Sequence, residues 1–103
     1  MEEFEFERDN VNLIKGNTYK LIITNAERGL TPEEMESVFK DLHIFTEEDF
    51  VTNRGETEYI CIGKSSTDKI LFQGFVLRNN KIRIFTSRIA SKKEKNIYYE
   101  QIS

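Results

Sequence analysis

Apolar and polar residues alternate at the very start of the chain, where Phe4 and Phe6 stand between Glu3, Glu5 and Glu7. A period of two predicts a half-buried strand. Residues 10–30 fit two patterns. Within LIKGNTYKLIITNAERG, a turn at Gly16-Asn17 leads either into a helix capped by Gly29 or into a strand over 19–24, and the helix is the preferred reading. The next element is better marked. Thr31 has the character of an N-cap, Pro32 suits the first helical position, and Glu34 stands where a capping box closes. Leu30 and Met35 are spaced to staple that turn, and Met35, Val38, Phe39 and Leu42 share one helical face. The pattern predicts a helix of about three turns packed on a sheet.

Residues 46–56 (TEEDFVTNRGE) read as an acidic loop closed by Asn53-Arg54-Gly55. Three strands are expected after it. Tyr59–Gly63 is bounded by the polar run Ser65-Ser66-Thr67-Asp68, and Ile70–Leu77 is apolar on both faces, as a central strand is. Asn79-Asn80 forms a two-residue hairpin, because Asn tolerates positive φ, and Lys81–Thr86 returns from it. Ser91 and Glu94 then make a second capping box, opening a last helix that carries Ile97, Tyr98 and Ile102. The expected fold class is α+β: one domain over residues 1–103, with a three-strand antiparallel meander, one or two N-terminal helices and a C-terminal helix.

Composition adds a constraint. Residues 1–62 hold 6 Lys/Arg against 15 Asp/Glu, whereas residues 63–103 hold 9 against 3, so halves of −9 and +6 hide behind a net charge of −3. A phosphate-rich partner is drawn to the second half and repelled by the first. The 8 Phe and 4 Tyr supply the bulk for a small core. No apolar run is long enough to cross a membrane, and the acidic start is unlike a secretory signal. A single cysteine, Cys61, rules out an intrachain disulfide and fits a cytoplasmic setting; its apolar neighbours mark a buried thiol, not a nucleophile. With one Cys and one His, no metal site and no cofactor are expected.

The candidate chemistry lies in the cationic end. In a regular strand, Ile82 and Ile84 face one way and Lys81, Arg83 and Phe85 the other. Arg83 beside Phe85 suits phosphate binding with base stacking, but is equally the ordinary charge of a solvated strand. Arg88 reaches the same mouth only if regular pleating stops between the two arginines. Thr86 and Ser87 lie at the strand end, Lys92 and Lys93 in the first helical turn, and Lys64 in Gly63-Lys64-Ser65-Ser66, which lacks the spacing of a P-loop. Tyr98 is placed to reach either the core or a cleft. His43 has the ordinary standing of a surface residue at a helix end. No Ser-His-Asp set or paired-carboxylate motif is present. A kit of Arg, Lys and Tyr suits RNA cleavage by its own 2′-hydroxyl, where alignment and charge neutralisation suffice.

Three segments, LTPEEMESVFKD (Leu30–Asp41), ETEYICIGKSS (Glu56–Ser66) and IRIFTSRIASKKEKNIYYE (Ile82–Glu100), resemble the signature blocks of the BrnT toxins. The third block is the most specific, through Arg83, Thr86, Ser87, Arg88, Ala90, Ser91, Lys92, Lys93, Glu94 and Tyr98. The chain departs from the family pattern at Arg28, where a His commonly stands, and at Glu58, where an Arg often does. The resemblance implies a small RelE-like domain that acts as a metal-independent ribonuclease of a type II toxin–antitoxin pair. It also implies a BrnA-type ribbon–helix–helix antitoxin, with DNA met only through the toxin–antitoxin complex. It casts Arg83, Arg88 and Tyr98 as catalytic, with Lys64, Thr86, Ser87, Lys92 and Lys93 binding RNA. The Arg28 departure supports an alternative: a related module that binds an antitoxin-like protein or nucleic acid without cleaving it.

Overall fold

Residues 5–6, 30–51, 55–78 and 80–102 are described in the computed structural model. Helix α1 (Pro32–Ser37) runs into a 3-10 turn (Val38–Lys40), followed by strands β1 (Phe45–Val51), β2 (Thr57–Lys64), β3 (Ile70–Arg78) and β4 (Lys81–Ile89) and by helix α2 (Lys92–Glu100). The strands pair antiparallel in the order β1-β2-β3-β4, which makes an α+β domain with a four-strand meander. The expected acidic loop is therefore partly a strand. Thr46, Glu47, Glu48 and Asp49 are all exposed on β1, the outer strand of the meander. Charge there deters pairing with other chains, so an acidic sequence suits this position.

The two faces of the sheet bury different cores. Leu71, Phe75, Cys61 and Ile82 pack with Leu30, Met35, Val38 and Phe39 on the α1 side. Phe39 stands edge-on to Phe75 at 5.0 Å, and Tyr59 stacks on the same ring at 5.3 Å. Ile62 and Ile70 pack with Ala90 and Tyr98 on the α2 side. Of the predicted opening strand only Glu5 and Phe6 are described: Phe6 makes an isolated parallel bridge to Ile82, and the Ile82 N–H donates to the Glu5 carbonyl at 2.8 Å. Phe4, Glu3, Glu7 and the alternatives weighed for residues 10–28 lie outside the described residues.

Caps explain where the helices begin and end. Thr31 Oγ1 accepts from the Glu34 N–H at 3.1 Å, as expected. The Glu34 carboxylate, however, turns away from the expected box and accepts the hydroxyls of Ser65, at 2.8 Å, and Thr67. Burial pushes its pKa up, but these hydroxyls and Lys69 outweigh burial and hold it below the usual carboxylate range. That buried carboxylate fastens α1 to the β2–β3 loop. Leu42 breaks the predicted apolar stripe and is 94% exposed. The reason is Asp41, which is extended (ψ 122°) and ends the helical run one residue earlier. Asn80 takes positive φ (63°) in the hairpin, and Ser91 and Glu94 form the expected reciprocal capping box.

Gly63 lets the 3-10 turn press on the sheet, since a Cβ there would lie 2.7 Å from Val38 Cγ1 and 3.2 Å from Ile44 Cγ1. Both neighbours are short, branched and enclosed. Gly63→Ala is expected to destabilise the fold by about 1–3 kcal/mol through overpacking. At about 4–8 °C per kcal/mol for a domain of this size, a thermal melt reads this directly. An unchanged Tm would mean that α1 does not bear on β2 here.

Candidate functional site

Residues five apart on a regular strand point to opposite faces. Arg83 and Arg88 do not, because β4 carries a bulge. Gly74 pairs with Thr86 but its neighbour Phe75 pairs with Ile84, so Phe85 is the extra residue on β4. An inserted residue shifts the alternation by one. The register then places Arg83 opposite Val76, Thr86 opposite Gly74, and Arg88 opposite Phe72, all even positions of β3 and hence one face. This is the α2 side, since Phe72 packs against the core formed with Tyr98.

Arg88 is held from two directions. Its guanidinium carbon lies 4.3 Å from the centroid of Phe72, and Nη1 and Nη2 donate to Glu94 Oε1 and Oε2 at 2.7 and 2.8 Å. Cation–π contact and a bidentate carboxylate fix the plane of the fork. The Glu94 hydrogen bonds, followed by its charge, raise the pKa of Arg88; in return the Glu94 pKa is lowered, first by Arg88. Glu94 Oε1 also accepts the Ser91 N–H at 2.8 Å. One carboxylate therefore caps α2 and orients Arg88, a double use that the capping-box spacing alone did not reveal. Arg83 and Thr86 are half-buried on the same face.

The other predicted residues divide. Lys92 and Lys93 are exposed in the first turn of α2, close in sequence to Arg88. Lys64 is exposed at the end of β2, opposite Ile70 and two strands from β4. Ser87 lies on the opposite face from the arginines: it is buried, and its hydroxyl donates to Gln73 Oε1 at 2.8 Å while Gln73 Nε2 donates to the Met35 carbonyl at 3.0 Å. The structure places Ser87, expected on an RNA surface, in a core polar bridge. His43 is exposed, and Arg28 lies outside the described residues. Cys61 is fully buried, and its thiol is pushed up to about 12 chiefly by burial, which excludes an accessible thiolate.

Tyr98 resolves toward the core. Its ring is 1% exposed, and its hydroxyl donates to Asp41 Oδ2 at 2.6 Å. Asp41 Oδ2 also accepts the Lys64 N–H at 2.8 Å, and Oδ1 accepts the His43 N–H at 3.0 Å. Burial pushes the Asp41 pKa up, but the hydrogen bonds, that of Tyr98 foremost, outweigh it and hold the carboxyl below its ordinary value. The Tyr98 hydroxyl is raised, first by burial and then by Asp41, so it stays a neutral donor. Asp41 thus ties together the end of the α1 run, the end of β2 and α2. The structure places Tyr98, a catalytic candidate by resemblance, in the core as a latch on Asp41.

Among the described residues, no group of three or more His, Cys, Asp or Glu is arranged to hold a metal ion. No helix among them is long and apolar enough to cross a membrane. What the α2-side face offers is two arginines, a threonine hydroxyl, aromatic rings and nearby lysines, a set suited to phosphate and to a base.

A family model described as "Ribonuclease toxin, BrnT, of type II toxin-antitoxin system" matches residues 18–94. The matched span contains Arg83, Thr86 and Arg88 and ends before Tyr98. No curated protein matches the sequence.

The latch has a pH signature. Because the folded-state pKa of Asp41 is depressed, its charge stabilises the fold above the unfolded value of about 4, and that contribution is lost as pH falls through the folded value. Tyr98→Phe removes a hydrogen bond to a charged group and is expected to cost about 1.5–3 kcal/mol at pH 7. Urea unfolding of the two proteins at pH 7 and pH 3 is expected to show this gap shrinking at the lower pH. A gap equal at both values would dissociate Tyr98 from the Asp41 charge.

Proposed function

The chain belongs to the BrnT family of type II toxin–antitoxin ribonuclease toxins, and on that footing we propose that the face carrying Arg83 and Arg88 cleaves RNA by attack of a 2′-hydroxyl on the adjacent phosphorus. The observation that carries this reading is the bulge at Phe85, which turns both arginines to one side of the sheet. In the proposed step the 2′-oxygen gives up its proton and bonds to phosphorus. The 5′-oxygen departs and takes up a proton, leaving a 2′,3′-cyclic phosphate on one fragment and a 5′-hydroxyl on the other.

The pentacoordinate state carries more negative charge on its equatorial oxygens than the starting diester does. Two guanidinium groups aimed at one phosphate stabilise that charge more than they stabilise the ground state, which is the condition for catalysis. Thr86 adds a hydroxyl on the same face. Lys92 and Lys93 raise the local potential and steer RNA, and Lys64 contributes a more distant cation. Tyr98 and Ser87 act here through the scaffold, the first by holding α2 and the second by bridging the core.

Family membership implies an antitoxin partner. We take that partner to be a ribbon–helix–helix protein of the BrnA type, through which the pair meets DNA. A second reading, binding of RNA or antitoxin without cleavage, has one observation on its side. Arg88 already engages a carboxylate with both terminal nitrogens, so a phosphate has to compete with Glu94 for it.

Purified protein, freed of partner and incubated with chelator, is expected to convert RNA to fragments with cyclic-phosphate ends. Arg83→Ala or Arg88→Ala is expected to lower the rate at least tenfold, about 1.4 kcal/mol of barrier. Intact RNA after long incubation, with binding retained, would favour the non-cleaving reading. Unchanged rates in both variants would remove the arginines from the chemistry.

A further inference from the structure

Phe85 is the residue that the bulge inserts, and its surroundings are unusual for a phenylalanine. It is half-buried, yet among the described residues it belongs to neither the core cluster under α1 nor the one under α2. The far end of its ring occupies the space that a side chain at residue 74 would need: a Cβ on Gly74 would meet Phe85 Cζ at 2.6 Å and Cε1 at 2.9 Å. Gly74 belongs to the even positions of β3, so the ring lies over β3 on the arginine side of the sheet. Glycine is required there for the ring to rest where it does.

The other rings of this face are engaged. Phe72 carries the Arg88 guanidinium on its face, and Phe45, Phe72 and Tyr98 belong to the core beneath α2. Phe85 is different: a partly open ring, outside both core clusters of the described residues, with Arg83 and Arg88 on either side of it along one strand. A nucleotide presents the matching chemistry, an anionic phosphate for the cations and a flat base for the ring. Bases in a duplex are already stacked and turned inward, so only an unpaired base can meet such a ring.

We propose that Phe85 is a base-stacking residue that makes single-stranded RNA, not duplex, the ligand of this face. The inference rests on the reading of the face as an RNA site and adds to it the residue that selects the strand state. The backbone contribution then comes from the arginines and is shared by any RNA, whereas the preference for unpaired nucleotides comes from one ring.

The test uses fluorescence anisotropy with a short 2′-O-methyl RNA, which cannot be cut, free or annealed to its complement. Wild-type protein is expected to bind the single strand at least tenfold more tightly than the duplex. Phe85→Ala is expected to weaken single-strand binding about tenfold, the size of one stacked base, and to bring the two affinities within about twofold. Phe85→Leu is expected to behave like Phe85→Ala, and Phe85→Tyr like wild type. Abasic substitutions scanned along the strand, measured on wild-type protein, are expected to reproduce the loss at one position, so the answer does not depend on any variant folding. Equal affinity for strand and duplex, or an abasic scan with no sensitive position, overturns the proposal. If Arg83→Ala still loses binding in that case, the arginine site stands without Phe85. If wild-type protein binds neither RNA form, both readings fall together.

Discussion

A strand can bring residues five apart to one face only by breaking its two-residue repeat, and β4 does so at Phe85. The proposed RNA face depends on that break. Without it, Arg88 would fall on the face opposite Arg83 and point toward the α1 core, where Ser87 and Gln73 already form a satisfied polar bridge. With it, the strand serves two faces in turn. Its alternate positions Ile82, Ile84 and Ser87 supply the α1 side, while Arg83, Thr86 and Arg88 open on the other. Gly74 is the opposing condition, because the inserted ring needs the volume that any other residue there would occupy.

Around that break, most of the residues that gave the family resemblance serve architecture. Glu34 and Ser65 fasten α1 to the β2–β3 loop. Gly63 lets Val38 approach the sheet. Asp41 and Tyr98 tie α2 to the ends of α1 and β2, and Ser91 with Glu94 starts α2 at a fixed place. The consequence for the site is direct. Only Ala90 and Ser91 separate β4 from α2, so fixing its first turn fixes Glu94, and Glu94 fixes Arg88. Preorganisation of one arginine is thus a product of helix capping.

How much of this was legible in the sequence depended on whether the signal was local. The caps at Thr31 and Ser91, the positive φ of Asn80 in the β3–β4 turn and the apolar central strand depend on neighbours a few residues apart, and the structure agrees with each, Asn79 lying outside the described residues. The acidic stretch from Thr46 misled because its polarity reflects an outer-strand position, which is a property of the sheet and not of the segment. Leu42 misled because Asp41 is drawn out of helical geometry by Lys64 and Tyr98, both distant in sequence. Tyr98 was open between core and cleft until its partner was known. The bulge left only an indirect trace, a glycine inside an otherwise apolar strand, and the pairing that gives Gly74 its meaning lies on another strand.

Whether Arg83 and Arg88 act on the same phosphate is decided by a double-mutant cycle on the RNA cleavage rate. Two groups serving one phosphate are coupled, whereas groups serving separate phosphates contribute independently. With Arg83→Ala, Arg88→Ala and the double variant compared with wild type, a coupling of about 1 kcal/mol or more is expected, the second substitution costing far less once the first is made. Strictly additive losses would contradict it, and would mean that the bulge at Phe85 does not bring the two arginines to one phosphate.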